Sequence, residues 1–187
     1  MKEEVRILGI DDGPFEKKNG VAVLVVGTVF RGGHFMDGCL STTIEKDGDD
    51  ATEKLIALVT NSKFKPQLQC IMLNGIALGG FNVIDVRKLH EETGIPVMTV
   101  IRIMPDLESM KKALSYVKNA EKKWTLLSLS PPIRKMGSVY CQWVGMMEEN
   151  AREFISLSTT HGKIPEPLRI AHIIARGIVT GESKGRA

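Results

Sequence analysis

Residues 5–15, VRILGIDDGPF, constrain this chain more than any other stretch. An apolar run this short, built of bulky aliphatic residues, reads as a buried strand, and Gly13-Pro14 ends it. Asp11 and Asp12 therefore stand at or just past the carboxyl end of a strand. In an α/β sheet that rim is where ligands and metals bind. Successive side chains on a strand point to opposite faces, so only one of the two carboxylates is expected to face any one site. Alternation from Ile10 does not decide which. The alternative is an Asp-Gly turn in which both carboxylates only cap backbone N–H groups.

The residues that follow supply the rest of a sheet. Residues 20–30, GVAVLVVGTVF, are uncharged and β-branched, the pattern of a strand buried on both faces. The Gly pair in RGGH favours a hairpin, and a third strand is expected over 35–44, giving a three-strand antiparallel meander. Asp50 and Glu53 form a possible capping box ahead of Leu55, Ile56, Leu58 and Val59, which recur at helical spacing. Residues 68–73, LQCIML, read as a fourth strand ending at Asn74-Gly75. A strand reached through a helix can lie parallel to the first, which sets Asn74 beside Asp11. Gly79-Gly80-Phe81-Asn82 is expected to open a second helix with Asn82 as its N-cap and Asp85 as a first-turn charge. His90 falls late in that helix, where a cation suits the dipole. A fifth strand is expected over 95–103 and a further helix after Pro105-Asp106.

The lysines between 111 and 123 read as a solvated helix face, with a phosphate-backbone contact as the alternative. Pro131-Pro132 breaks the chain before a last strand over 139–144, in which Trp143 reads as a core residue rather than a base-stacking one. A helix follows over 147–157. In the last helix Pro167 fits the first turn. Leu168, Ala171 and Ala175 fall on one face, and Arg169, His172 and Arg176 lie along the next stripe. Residues 181–187 are expected to be flexible.

Composition narrows the class. The 187 residues are 43% hydrophobic and 25% charged, as in soluble globular proteins, and one domain over 1–187 is expected. No run approaches the roughly 18 apolar residues of a membrane span. The first strand begins within a few residues of Met1, leaving no room for a signal peptide. Three scattered cysteines argue against a disulfide framework or thiolate metal site and for a reducing, cytoplasmic setting. A net charge of +3 does not by itself imply nucleic acid, so local clusters must carry that argument. Gly79-Gly80 without a P-loop is too little for a nucleotide-binding or phosphotransfer protein.

Three meander strands, a helix, a strand, a helix, a strand and then helices, with carboxylates at the first strand's end, is the layout of ribonuclease H-like nucleases. The segments GIDDGPF, DGDDATEK, LNGIALGGFNVID, TGIPVM and IPEPLRIAH together resemble the archaeal endonuclease dU family over essentially the whole chain, and that family resembles endonuclease V. The resemblance implies an α/β, ribonuclease H-like mixed sheet flanked by helices. It also implies a Mg²⁺- or Mn²⁺-dependent endonuclease that cuts DNA near deaminated bases such as uracil, in DNA repair. Asp11 falls on endonuclease V's first-strand aspartate and Asp50 roughly on its first-helix glutamate. Asn74 falls where that pattern has a metal-binding aspartate, and residues 165–169 fall on its PEP-x-R segment. Asp11, Asp50 and Asn74 are then the catalytic candidates, and Asp11, Asp12, Asp50 and Asn74 the metal ligands. Arg169, His172 and Arg176 are the candidate phosphate contacts. Three departures stand out. An amide oxygen at Asn74 brings no charge to a cation that favours carboxylates, and Met146 stands where endonuclease V has a histidine. The Pro-Tyr-Ile-Pro-Gly wedge that reads the lesion in endonuclease V is not recognisable. The alternative function is a catalytically impaired nucleic-acid-binding protein on the same fold. For Arg169, pairing with Glu166 is the competing role.

Overall fold

A computed structural model describes residues 4–18 and 20–183. Strands β1 (Arg6–Asp12), β2 (Ala22–Arg31) and β3 (Phe35–Glu45) form the antiparallel meander. Helix α1 (Ala51–Thr60) carries the chain to β4 (Leu68–Asn74), which lies parallel to β1. Helix α2 (Val86–Thr93) then leads to β7 (Val97–Ile101), parallel to β4. Helices α3 (Leu107–Leu114) and α4 (Ala120–Ser128) precede β8 (Arg134–Met136) and β9 (Val139–Val144), and β9 runs antiparallel to β7. Helices α5 (Glu148–Ser158) and α6 (Glu166–Thr180) close the fold. The seven-stranded mixed sheet has the order β3-β2-β1-β4-β7-β9-β8. Among the described residues no helix is long and apolar enough to cross a membrane.

Alternation along the strands sorts the core into two layers. Leu8, Ile10, Ile71 and Leu73 pack with Leu55, Val59 and Leu89 beneath α1 and α2. Ile7, Cys70, Met72 and Val100 pack with Phe154 and Leu168 beneath α5 and α6, and Val26 meets Ala171 and Ala175. Gly9 permits that second layer. A side chain there would collide with Pro167 in the first turn of α6, and the Thr28 hydroxyl donates to the Pro167 carbonyl at 2.6 Å. The proline-glutamate-proline segment thus docks α6 directly on β1 and β2.

Four local expectations are corrected. Asn82 does not begin a helix. It lies in β6 (Asn82–Val83), paired with β5 (Ala77–Leu78) in a small hairpin, and α2 is capped by Asp85, which accepts from the Arg87 and Lys88 N–H groups at 3.1 and 3.0 Å. The Asn82 side chain, fully buried, instead caps α1 by accepting from Ala51 N–H at 3.0 Å. The capping box is accordingly absent: Asp50 occupies the N-cap position without a side-chain cap bond, and Glu53 pairs with Lys88. The lysine-rich stretch is two helices, α3 and α4, and Lys123 is 1% exposed rather than on a solvated face. Finally, β8 was not foreseen, because three residues with two charges carry no strand pattern. The start of the chain and the tail over 181–187 lie partly outside the described residues.

Candidate active site

The carboxyl ends of β1 and β4 lie side by side, because Ile10 registers with Leu73. Asp11 and Asn74 are therefore neighbours, and both project to the α6 side, in phase with Ile7, Met72 and the Gly9–Pro167 contact. Asp12 projects to the other side. Sequence alone left the choice between the two carboxylates open, and the packing of α6 makes it.

Asp11 is only 2% exposed. Its Oδ1 accepts from the Asp12 N–H at 2.9 Å, and its Oδ2 lies 2.9 Å from His172 Nδ1. A carboxylate only accepts, so Nδ1 carries the proton of that bond. The other ring nitrogen, Nε2, is buried with no partner among the described residues, and so is Arg176 Nε, one turn further along α6. Leaving a buried polar group unpaired costs about 1–3 kcal/mol, and such groups in a native site call for an explanation such as an ion or water. Here both lie on the helix that covers Asp11.

Asp12 Oδ2 accepts from Gly79 N–H at 2.8 Å. Burial first, and the neighbouring Asp11 charge second, push the Asp12 carboxyl up to about 6. Asn74 is half-buried and makes no hydrogen bond with its side chain among the described residues. Asp50 sits at the same end of the sheet, but on the α1 side. Its Oδ1 accepts from Glu45 N–H at 3.1 Å and from Asn82 Nδ2 at 2.6 Å, so its contacts are with these groups rather than with Asp11.

Of the three residues expected on one stripe of the last helix, only His172 reaches Asp11. Arg169 is held by the buried Glu166 through Nε to Oε1 at 2.9 Å and Nη2 to Oε2 at 2.7 Å, which is the competing role weighed for it. The structure therefore groups Asp11, Asn74 and His172 on the α6 side, with Asp12 turned to the other side against Gly79 N–H and with Asp50 and Arg169 engaged elsewhere. The Asp11–His172 contact joins residues 161 positions apart, and no spacing in the sequence reveals it.

Among the described residues no three His, Cys, Asp or Glu side chains converge as a ready cation cage. The donor set nevertheless suits one Mg²⁺, which takes one or two carboxylates and completes its shell with water and substrate phosphate. Asp11 and Asn74 are the side chains placed to offer such an ion a carboxylate and an amide oxygen.

A mixed sheet of this order, an antiparallel meander followed by parallel strands and flanked by helices, has the ribonuclease H-like fold. Endonuclease V of Ciona intestinalis, solved with a 24mer DNA containing an inosine followed by a ribo-adenosine, shares the fold with a TM-score of 0.60 at 13% identity, covering 94% of this chain and 86% of that one. The Endonuclease dU family model matches residues 3–179, and the chain belongs to that family. A UPF0215 protein of Methanothermobacter thermautotrophicus is 47% identical over 191 residues, covering 100% of this chain and 94% of its own. A crystal structure of a protein of unknown function from Archaeoglobus fulgidus is 40% identical with a TM-score of 0.86, covering 93% of this chain and 97% of that one.

Proposed function

We propose that this protein is a divalent-metal-dependent endonuclease that cuts a DNA strand near a deaminated base, uracil in the first instance, as a cytoplasmic repair enzyme. The observation that carries this reading is the buried Asp11–His172 pair beside Asn74 at the sheet end, with His172 Nε2 left unpaired. When bound, Mg²⁺ or Mn²⁺ would neutralise phosphate charge at the scissile position. Asp11 and Asn74 would hold it, with Asp12 assisting from the opposite side. Asp50 would act on the α1 side of the rim. His172, with Nδ1–H directed to Asp11, leaves Nε2 as the ring atom that would take a proton from an attacking water whenever the imidazole is neutral. Arg176 carries its charge along the same helix and would contact phosphate, a largely sequence-independent and salt-sensitive contribution.

One observation favours the second reading, a nucleic-acid-binding protein with impaired catalysis: the second strand end offers an amide where a carboxylate would bind the cation more firmly. Labelled oligonucleotides containing uracil, hypoxanthine or no lesion, incubated with Mg²⁺, Mn²⁺ or EDTA, separate the two. Metal-dependent nicking of the uracil strand supports the nuclease. Retention of the oligonucleotide without nicking under every metal condition supports the binder and ends the nuclease reading.

A further inference from the structure

Beyond Asn74, where Gly75 turns the chain away from the sheet, a cavity of about 230 Å³ opens between the β5–β6 hairpin, the end of β7 and helices α3 and α4. Its walls are chiefly apolar, with Ile76, Ile101, Leu107 and Met110 among them. An apolar cavity of roughly 150 Å³ already accepts a benzene ring, so this one has room for a single planar base. Two polar side chains enter that lining, Thr99 and Gln142, 2% and 9% exposed.

These two are arranged so that the Gln142 amide has one orientation. Its Nε2 donates to the Pro131 carbonyl at 2.6 Å, and a backbone carbonyl can only accept. Its Oε1 accepts from the Thr99 hydroxyl at 3.2 Å. A glutamine amide has two N–H groups and two acceptor lone pairs. One N–H and one lone pair therefore remain, in a known order, on a nearly buried amide lining an apolar cavity. Buried polar groups with unspent capacity are what give a ligand pocket its specificity.

We infer that Gln142 is a specificity-determining residue, reading the edge of a single base held in the cavity, which lies on the α1–α2 face of the sheet, across the strand ends from Asp11 and His172. The inference rests on the nuclease reading above for its substrate, and it adds the means of selection. Deamination of cytosine turns N3 from an acceptor into a donor and replaces the exocyclic donor by a carbonyl acceptor. The hydrogen-bond pattern at those two positions is thereby reversed. An amide free to flip would satisfy either pattern. An amide held by Pro131 and Thr99 matches one and sets donor against donor and acceptor against acceptor in the other. The same reversal occurs between adenine and hypoxanthine, so the residue selects the lactam edge as a chemical class, and the cavity's walls select by size.

The test measures binding, so it does not depend on cleavage. Single-stranded oligonucleotides carrying one uracil, one cytosine or one 3-methyluracil are titrated against wild type and Gln142→Leu by fluorescence anisotropy in EDTA. Wild type is expected to prefer uracil over both others by about tenfold or more, the discrimination typical of a bidentate contact. In Gln142→Leu the three affinities converge, because the match to uracil and the mismatch to cytosine are removed together. Equal affinity of wild type for uracil and 3-methyluracil overturns the inference, and so does an unchanged uracil preference in the variant. If Gln142→Leu does not fold, the 3-methyluracil comparison, made on wild type alone, decides. Selectivity without nicking in Mg²⁺ would retain Gln142 and end the nuclease reading. Nicking with no selectivity would do the reverse.

Discussion

At the residue scale the site is set by which side of the sheet each carboxylate meets. Asp11 is stabilised by His172 and a backbone N–H, whereas Asp12 is buried against that charge with one N–H donor. The consequence is a pH dependence with a definite sign. Asp12 has a folded-state pKa near 6 against an ordinary value of 3.8, so between about pH 4 and 6 the folded chain holds a proton that the unfolded chain has released. Stability contributed by the protonated carboxyl is complete below pH 4 and is lost as pH rises to 6. Asp12→Asn keeps an acceptor for Gly79 N–H and removes the charge. In EDTA the variant should exceed wild type by up to about 3 kcal/mol at pH 7.5, on the basis of ~1.4 kcal/mol per pH unit, and match it below pH 4. Urea melts at the two pH values measure this, and an equal difference at both would contradict it. Asn74→Asp tests the other side of the sheet end. It adds the charge a hard cation prefers and places it next to Asp11, where like charges repel. Calorimetry should show tighter Mg²⁺ binding and melting should show a less stable metal-free protein. Equal Mg²⁺ affinity would remove Asn74 from the ligand set.

At the element scale, periodicity was enough to place β1, β2, β4, β7, β9 and the faces of α1 and α6, because each buries apolar residues that the sequence displays, whereas β3, in which Ile44 alone is buried, followed from the Gly32-Gly33 hairpin signal. What was not legible depends on partners far along the chain. Asn82 carries the side chain of an N-cap, but the N–H it caps is Ala51, 31 positions earlier. Lys123 reads as one solvated lysine among several. In the fold its Nζ donates to the Asp47 and Phe81 carbonyls at 2.9 Å each and to the Gly48 carbonyl, and pairs with Asp49 at 3.1 Å. Helix α4 is thereby clamped to the acidic loop before α1. Lys123→Met leaves three carbonyls and a carboxylate without their cation. Breaking a buried pair typically costs about 3–5 kcal/mol, and denaturant melts should show a loss of that size. A loss under 1 kcal/mol would mean the loop is held by other contacts. The same reasoning divides the arginines of α6. Arg169→Ala should lower the melting temperature and leave the salt dependence of oligonucleotide binding alone, because Arg169 is spent on Glu166. Arg176→Ala should flatten the salt dependence with little change in melting, since each phosphate contact contributes close to one unit of slope. An unchanged salt slope in Arg176→Ala would remove it from the phosphate-contacting surface.

At the scale of the whole molecule, the candidate site exists only because α6, the last helix, returns to cover the first strand. His172 reaches Asp11, Pro167 covers Gly9 and Ala171 and Ala175 meet Val26, so the site is complete only where β1 and α6 are packed together. A cation bound at Asp11 would bind the folded chain and not the unfolded one, and would therefore report on the entire fold. Such a ligand stabilises by RT ln(1 + [L]/Kd), about 1.4 kcal/mol when its concentration is ten times its dissociation constant. For a chain of this size that corresponds to roughly 3–5 °C in melting temperature. Titrating Mg²⁺ at constant ionic strength should thus raise the melting temperature of wild type by several degrees, and Asp11→Asn should abolish the rise. A salt effect on surface charge would shift both proteins alike. If wild type does not respond to Mg²⁺ either alone or with a uracil-containing oligonucleotide present, the cation has no specific site on the folded chain, and the metal-dependent nuclease reading fails.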